Sequence, residues 1–421
     1  MTTQRLLPFS LPALFFVFLA ACAPATRPPV ERDSVLLVSL DGFRPDYLDL
    51  GITPNLSRLA REGVRADWMK TSYPSLTFPN HYTLVTGLRP DRHGIVHNTM
   101  RDAELGDFAL SKRDALGDGR WWAGEPIWVG AAKAGLPSAT LFWPGSEAAI
   151  QGIRPTRWRA FDETVTLEAR VETVVGWLSE PLASRPRIAT LYFETIDHDS
   201  HDHGPDSPQA RAAVRAVDAA MGQLIQKLSE RGVLDRTNLV IVSDHGMAPV
   251  APGNVVAVED MVNPLDAEVI TAGQSVGFQP RAGRETQAEA QLLGTHPHYS
   301  CWRKSEVPAR WHYGRHPRVP AIVCQMQEGW DARTRADIAR RSSKTTRGSH
   351  GYDPALPSMR ALFLARGPAF RRGVRLEPFD NVDVYPLLTR LIGIPAAPND
   401  GSPATWTPAL RAPTKGAQFA P

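Results

Sequence analysis

The chain has 421 residues, 43% of them hydrophobic and 22% charged. That composition excludes a disordered protein, a fibrous repeat and a disulfide-dense mini-scaffold, and the length fits two or three folding units or one large α/β domain with an insertion. A net charge of +3, from 47 basic and 44 acidic residues, gives no electrostatic case for nucleic-acid binding.

The N-terminus reads as an address. Arg5 precedes an apolar stretch from Leu6 to about Ala21, too short and too proline-interrupted for a membrane span. Residues 1–21 therefore predict a signal peptide. Its end, Leu19-Ala20-Ala21-Cys22, has the form of a lipobox, so Cys22 is expected to be the lipid-modified first mature residue. Residues 22–33 would then be an Ala- and Pro-rich linker to the membrane. Ala23 after the cysteine favours the outer membrane of a Gram-negative cell, so an exported, periplasm-facing lipoprotein is expected. Two cysteines remain, Cys301 and Cys324, and in an oxidising compartment they read as one disulfide.

Four short apolar runs read as buried parallel strands: Val35–Leu40, Ile188–Glu194, Leu239–Ser243 and Ala361–Ala365. Helical patterns separate them, at Thr53–Glu62 before Gly63 and at Ser207–Arg231 before Gly232. Strands alternating with helices predict an α/β/α architecture around a mostly parallel sheet, with the site at the carboxyl ends of the strands. The expected organisation is a catalytic domain over 34–247 and 350–421. Residues 248–349 break the alternation and are expected to form an inserted cap. They hold both cysteines and a Trp/His/Tyr-rich stretch from Trp302 to Tyr313.

Polar residues follow each strand. Asp41-Gly42 ends the first, Asp244-His245-Gly246 the third, and Asp197-His198-Asp199-Ser200-His201 follows the second. His350, in Gly348-Ser349-His350-Gly351, precedes the last. Mixed Asp and His without cysteine suits zinc, with iron or manganese as alternatives. Asp197/His201 and Asp199/His203 are both four apart, so spacing alone leaves the pair open. Thr77 is expected to cap a helix that has Pro79 in its first turn. A hydroxyl there feels the helix dipole, and beside a metal it becomes a nucleophile.

These motifs resemble the nucleotide pyrophosphatase/phosphodiesterases of the alkaline phosphatase superfamily, and are especially similar to their bacterial secreted members. The matching pieces, in order, are Leu40-Asp41-Gly42-Phe43-Arg44, Thr77-Phe78-Pro79-Asn80-His81-Tyr82, Val85-Thr86-Gly87, His93-Gly94-Ile95, Asp197-x-x-x-His201-x-x-Gly204-Pro205, Ser243-Asp244-His245-Gly246-Met247 and Gly348-Ser349-His350-Gly351-Tyr352. The resemblance selects Asp197 and His201 and implies two zinc ions. Asp197, His201 and His350 would hold one. Asp41, Asp244 and His245 would hold the other, close to Thr77. It also implies a phospho-threonine intermediate, with Asn98 hydrogen-bonded to a phosphoryl oxygen, and a supporting role for His81 and His93. Phe78, Leu110 and Phe161 are the expected walls of a nucleotide pocket, and Arg154, Arg157 and Arg159 lie nearby.

The Thr77-Phe78-Pro79-Asn80 frame differs from that of the superfamily's sulfatases. The expected activity is zinc-dependent cleavage of nucleotide phosphodiesters and pyrophosphates to nucleoside 5′-monophosphates. Two alternatives are a choline-phosphodiester or lysophospholipid hydrolase and a non-catalytic envelope binding lipoprotein.

Overall fold

A computed structural model describes residues 1–2, 33–340 and 345–412. The expected signal segment beyond residue 2, Cys22 and nearly all of the linker lie outside the described residues. The fold belongs to the unit Arg32–Pro421.

Eight strands form the central sheet. In chain order they are β1 (Ser34–Leu40), β2 (Val64–Ala66), β3 (Ser138–Leu141), β4 (Arg157–Arg159), β5 (Ile188–Phe193), β6 (Thr237–Val242), β12 (Phe363–Arg366) and β13 (Val374–Leu376). Strands β7 to β11 belong to a second sheet described below. The spatial order is β13-β2-β12-β6-β1-β5-β3-β4. The strands β1, β5 and β6 run parallel, with Ser39 opposite Tyr192 on one side and Val242 on the other.

Every residue of β1, β5 and β6 is buried, as expected for strands covered on both faces. Period-two alternation sends Val35 and Leu37 into one core and Leu36, Val38 and Leu40 into the other. Against the second core pack α1 (Pro54–Glu62), α3 (Leu167–Leu178) and α5 (Pro208–Glu230). Against the first pack α2 (Thr77–Thr86) and α6 (Val384–Ile392). This is the three-layer α/β/α architecture expected.

Two local expectations are corrected. The last of the four strands expected to be parallel, β12, runs antiparallel to β6 and to β2. A short run buried on both faces has the same composition in either direction, so the sequence did not reveal its sense. Thr77 is the first helical residue rather than the cap, which is Leu76 in extended conformation.

Residues 248–349 carry the second sheet, antiparallel and five-stranded. Its members are β7 (Ala267–Thr271), β8 (Ser275–Pro280), β9 (Gly294–Thr295), β10 (Tyr299–Arg303) and β11 (Ile322–Met326), in the order β7-β8-β11-β10-β9. Cys301 and Cys324 face each other in the β10/β11 register and are bonded as a disulfide. The two ends of the segment meet, Ala248–Val250 pairing antiparallel with Arg347–Ser349. Among the described residues no helix is long and apolar enough to cross a membrane.

Candidate active site

The site forms where β1, β5 and β6 end. Asp41 follows β1 directly, and Asp244 and His245 follow Ser243 at the end of β6. After β5 the chain enters α4 (Thr195–His203), which places Asp197 and His201 on one face, one turn apart. The turn after β1 needs Gly42 (φ +69°): its N–H donates to Asp244 Oδ1 at 3.3 Å, and a Cβ would meet Asp197 at 3.3 Å. The Arg347–Ser349 strand brings His350 in from the far side. A Cβ on Gly348 would lie 2.3 Å from the Ser200 carbonyl, and only glycine permits that approach to α4.

Three imidazoles are oriented alike. Nδ1 of His201 faces the Gly348 carbonyl at 3.0 Å, Nδ1 of His245 the Gly246 carbonyl at 2.9 Å, and Nδ1 of His350 the Ser75 carbonyl at 2.9 Å. A carbonyl only accepts, so each Nδ1 carries a proton, and in the neutral ring it is Nε2 that presents the lone pair. Those Nε2 atoms converge on the carboxylates. His201 Nε2 is 3.4 Å from Asp197 Oδ2, His350 Nε2 is 3.5 Å from Asp197 Oδ1, and His245 Nε2 is 3.4 Å from Asp41 Oδ1 and 3.0 Å from Asp244 Oδ2.

Asp41 Oδ1, Asp197 Oδ1 and Asp244 Oδ2 are buried and have no hydrogen-bond partner. Lone pairs and unpartnered carboxylate oxygens gathered in one buried place are what a divalent cation satisfies. Asp197, His201 and His350 form one such group. Asp41 and His245 group with Asp197, and Asp41 and Asp244 group with His81. Asp199 and His203 belong to none of the groups found among the described residues.

The electrostatics fit this arrangement. Burial, then the Asp244 and Asp197 charges, pushes the Asp41 carboxyl well above its usual range. Burial also works to raise Asp244, but His245 and His81 outweigh it and hold Asp244 well below. Burial, then the neighbouring His245 and His201, keeps His350 neutral by lowering its pKa strongly.

Thr77 opens α2, and its Oγ1 lies 3.3 Å from His245 Nε2. The Phe78 N–H donates to Asn98 Oδ1 at 3.0 Å, which ties Asn98 to the same helix start. Phe78 packs on Phe108 and Trp122, with ring centroids 6.0 Å away in both cases. Phe161 sits instead against Tyr192 and Phe142, and Leu110 is 46% exposed. Arg157 is paired with Glu180, and the Arg154 guanidinium lies over Trp158. From the 248–349 segment, Trp311 stacks on Tyr73, four residues before Thr77, at 4.0 Å.

Sequence reasoning missed Tyr192, whose hydroxyl donates to Asp41 Oδ2 at 2.6 Å. No sequence signal marks it, because its pairing with Ser39 in the β1/β5 register exists only in the folded sheet. It also understated His81. Both ring nitrogens are engaged, Nε2 with Ser39 Oγ at 2.8 Å and Nδ1 with the Thr77 carbonyl at 2.9 Å, and Nδ1 is 3.3 Å from Asp244 Oδ2. His93 is buried and bonded to Thr83 Oγ1 at 3.0 Å, the helix-supporting position expected.

Residues 35–353 match the profile of the family described as "Type I phosphodiesterase / nucleotide pyrophosphatase". A fission-yeast protein described as an uncharacterized pyrophosphatase/phosphodiesterase is 35% identical, over 89% of this chain and 79% of its own length. Human ectonucleotide pyrophosphatase/phosphodiesterase family member 5 is 34% identical, over 88% of this chain and 77% of its own. Bovine family member 3 is also 34% identical, but the match spans only 46% of that longer protein. The solved structure of inactive murine family member 5 in complex with AMP aligns over 90% of this chain and 100% of its own, with a TM-score of 0.85 and 34% identity. These relatives come from fission yeast and mammals, so the expected kinship with bacterial secreted members is not borne out. The chain belongs to the type I phosphodiesterase / nucleotide pyrophosphatase family.

Proposed function

We propose that this protein hydrolyses phosphodiester and pyrophosphate bonds of nucleotides and nucleotide derivatives, releasing nucleoside 5′-monophosphates. The observation that carries the proposal is the Thr77 hydroxyl, 3.3 Å from His245 Nε2, beside three carboxylate oxygens without partners. The AMP complex of murine family member 5 supports a nucleotide as the substrate.

Asp197, His201 and His350 would hold one Zn2+, and Asp41, Asp244 and His245 a second beside Thr77. Bound there, the ions stabilise charge developing on phosphoryl oxygens and lower the pKa of the attacking hydroxyl and of water. Thr77 Oγ1 bonds to phosphorus, and the bond to the leaving oxygen breaks on the opposite side. Water then attacks the phospho-threonine, frees the nucleoside monophosphate and restores the hydroxyl. Thr77 stands at the positive end of α2, which favours the deprotonated nucleophile. The Phe78 N–H holds the Asn98 carbonyl and leaves the Asn98 amide to donate to a non-bridging oxygen. Phe78 supplies the stacking surface for the base, with Leu110 and Phe161 as further walls of the pocket.

The test is paired initial rates on p-nitrophenyl thymidine monophosphate and p-nitrophenyl phosphate, for the parent and Thr77→Ala, with zinc and with EDTA. The expected result is a diester preference that both the substitution and the chelator abolish. Turnover surviving Thr77→Ala would overturn the nucleophile, and no turnover of either ester would favour the choline-phosphodiester or binding-protein alternatives.

Export and lipid attachment at Cys22 are a separate proposal, resting on the N-terminal sequence alone. It is tested by palmitate labelling of the parent and of Cys22→Ala. The assignment of residues 248–349 as a cap rests on Trp311 lying over Tyr73, and Trp311→Ala is expected to change KM more than kcat.

A further inference from the structure

A cavity of about 230 Å3 lies at the opposite edge of the central sheet from the catalytic residues. Its walls include Arg366, Arg371, Arg372 and Arg411, against two carboxylates, Glu62 and Asp235. Asp235 lies just before β6, and Arg366 pairs with Leu239 near that strand's start. Asp244 lies past the other end of β6, so six strand residues, about 20 Å, separate the cavity from the catalytic groups.

Arginines elsewhere in the fold are mostly paired. Arg375, close by in β13, binds Asp67, and Arg318 binds Asp102. Among the described residues no carboxylate makes an ion pair with any of the four cavity arginines, and only Arg411 has a side-chain hydrogen bond, donated to the Phe370 carbonyl at 2.8 Å. Their backbone is held firmly. The Arg371 N–H donates to the Ala409 carbonyl at 2.8 Å and the Arg411 N–H to the Ala369 carbonyl at 2.9 Å, around a buried Phe370. Arg371, Arg372 and Arg411 are solvent-exposed and Arg366 is half-buried, so four guanidinium groups bring positive charge to the rim of one concavity with no carboxylate among the described residues bonded to any of them.

We propose that this cavity is a second, non-catalytic site for a phosphoryl oxyanion. Planar guanidinium forks match phosphate oxygens in pairs. The volume is below the ~300 Å3 at which pockets begin to enclose drug-sized ligands, so the site takes a phosphoryl group rather than a whole nucleotide. The same chemistry is offered by free phosphate and by a phospholipid headgroup.

The test is equilibrium dialysis of the full chain against radiolabelled inorganic phosphate, with zinc and after chelation, for the parent, Arg366→Gln and the double variant Arg371→Gln/Arg372→Gln. Each lost charge-assisted contact is expected to weaken binding about tenfold, with diester turnover unchanged. The parent is expected to bind one phosphate more than the double variant in zinc, and to keep that phosphate after chelation. Equal stoichiometry and affinity in parent and variants overturns the proposal. So does loss of all phosphate on chelation while circular dichroism shows an intact fold. If chelation unfolds the chain, the zinc comparison alone decides. A parallel arm uses phosphatidylglycerol and phosphatidylcholine vesicles. Arginine-dependent binding to the former that free phosphate does not displace supports the site with a lipid headgroup as its source.

Discussion

The ring of His245 lies flat against that of His350, centroids 3.5 Å apart and planes at 16°. One ring follows β6 and the other arrives after the 248–349 segment, so the stack joins the two halves of the site. Both Nδ1 atoms are fixed by backbone carbonyls, so neither ring turns without breaking a buried hydrogen bond.

The stack brings the Nε2 atoms of both rings beside carboxylates that repel one another, and a bound cation relieves that repulsion. Zinc should therefore stabilise the fold. At a free concentration a hundred times its dissociation constant the gain is about 2.7 kcal/mol. Melting followed by circular dichroism should show a lower Tm in EDTA, restored by zinc. An unchanged Tm would sink the metal assignment.

Tyr192 donates to Asp41 and holds that carboxylate in place. Partners of this kind are worth 10- to 100-fold in metal affinity. Tyr192→Phe keeps the ring that packs on Phe161 and His81 and removes only the hydroxyl. It is expected to weaken zinc binding by about tenfold or more in a competition with a chelating dye, with little change in Tm for the chelated protein.

His81 is fully buried, bonded to Ser39 and to the Thr77 carbonyl. His81→Ala opens a cavity and leaves the Ser39 hydroxyl unpaired. The cost should be about 3 kcal/mol in urea unfolding. His81→Asn, which retains a polar side chain, should recover part of that stability.

His93 and His97 carry an acid sensitivity. Burial lowers His93 to about 3 and His97 to about 4. Both are neutral in the folded chain, whereas the unfolded chain binds their protons below about pH 6.5. Their contribution is thus present above pH 6.5 and lost as pH falls toward 4, at up to about 1.4 kcal/mol per pH unit for each residue. Urea titrations at pH 7, 6 and 5 should show the decline, and His93→Gln should flatten it.

Much of the site was legible in the sequence because its chemistry sits at strand ends. Asp41, Asp244 and His245 each stand just beyond a mainly apolar run broken only by a serine, Ser39 or Ser243, and the run itself announces where the sheet stops. Tyr192 was not legible, because a tyrosine inside a buried strand looks like packing until its neighbour Ser39 places it beside Asp41. The five-stranded sheet was hidden for a similar reason. Its strands are short and partly exposed, and its alternation is weak.

The sequence by itself determined the succession of β1, β5 and β6, the helices between them, the pairing of Cys301 with Cys324, and the residue types that gather at the sheet edge. These follow from local periodicity and from the chemistry of each side chain. Only the tertiary structure decided that β12 runs antiparallel, that the Tyr192 hydroxyl meets Asp41, and how closely His350 approaches Asp197 across 153 positions. Spacing along a helix says which residues share a face. Which face meets the site is set by what packs against it, here Gly348 at its closest approach to Ser200.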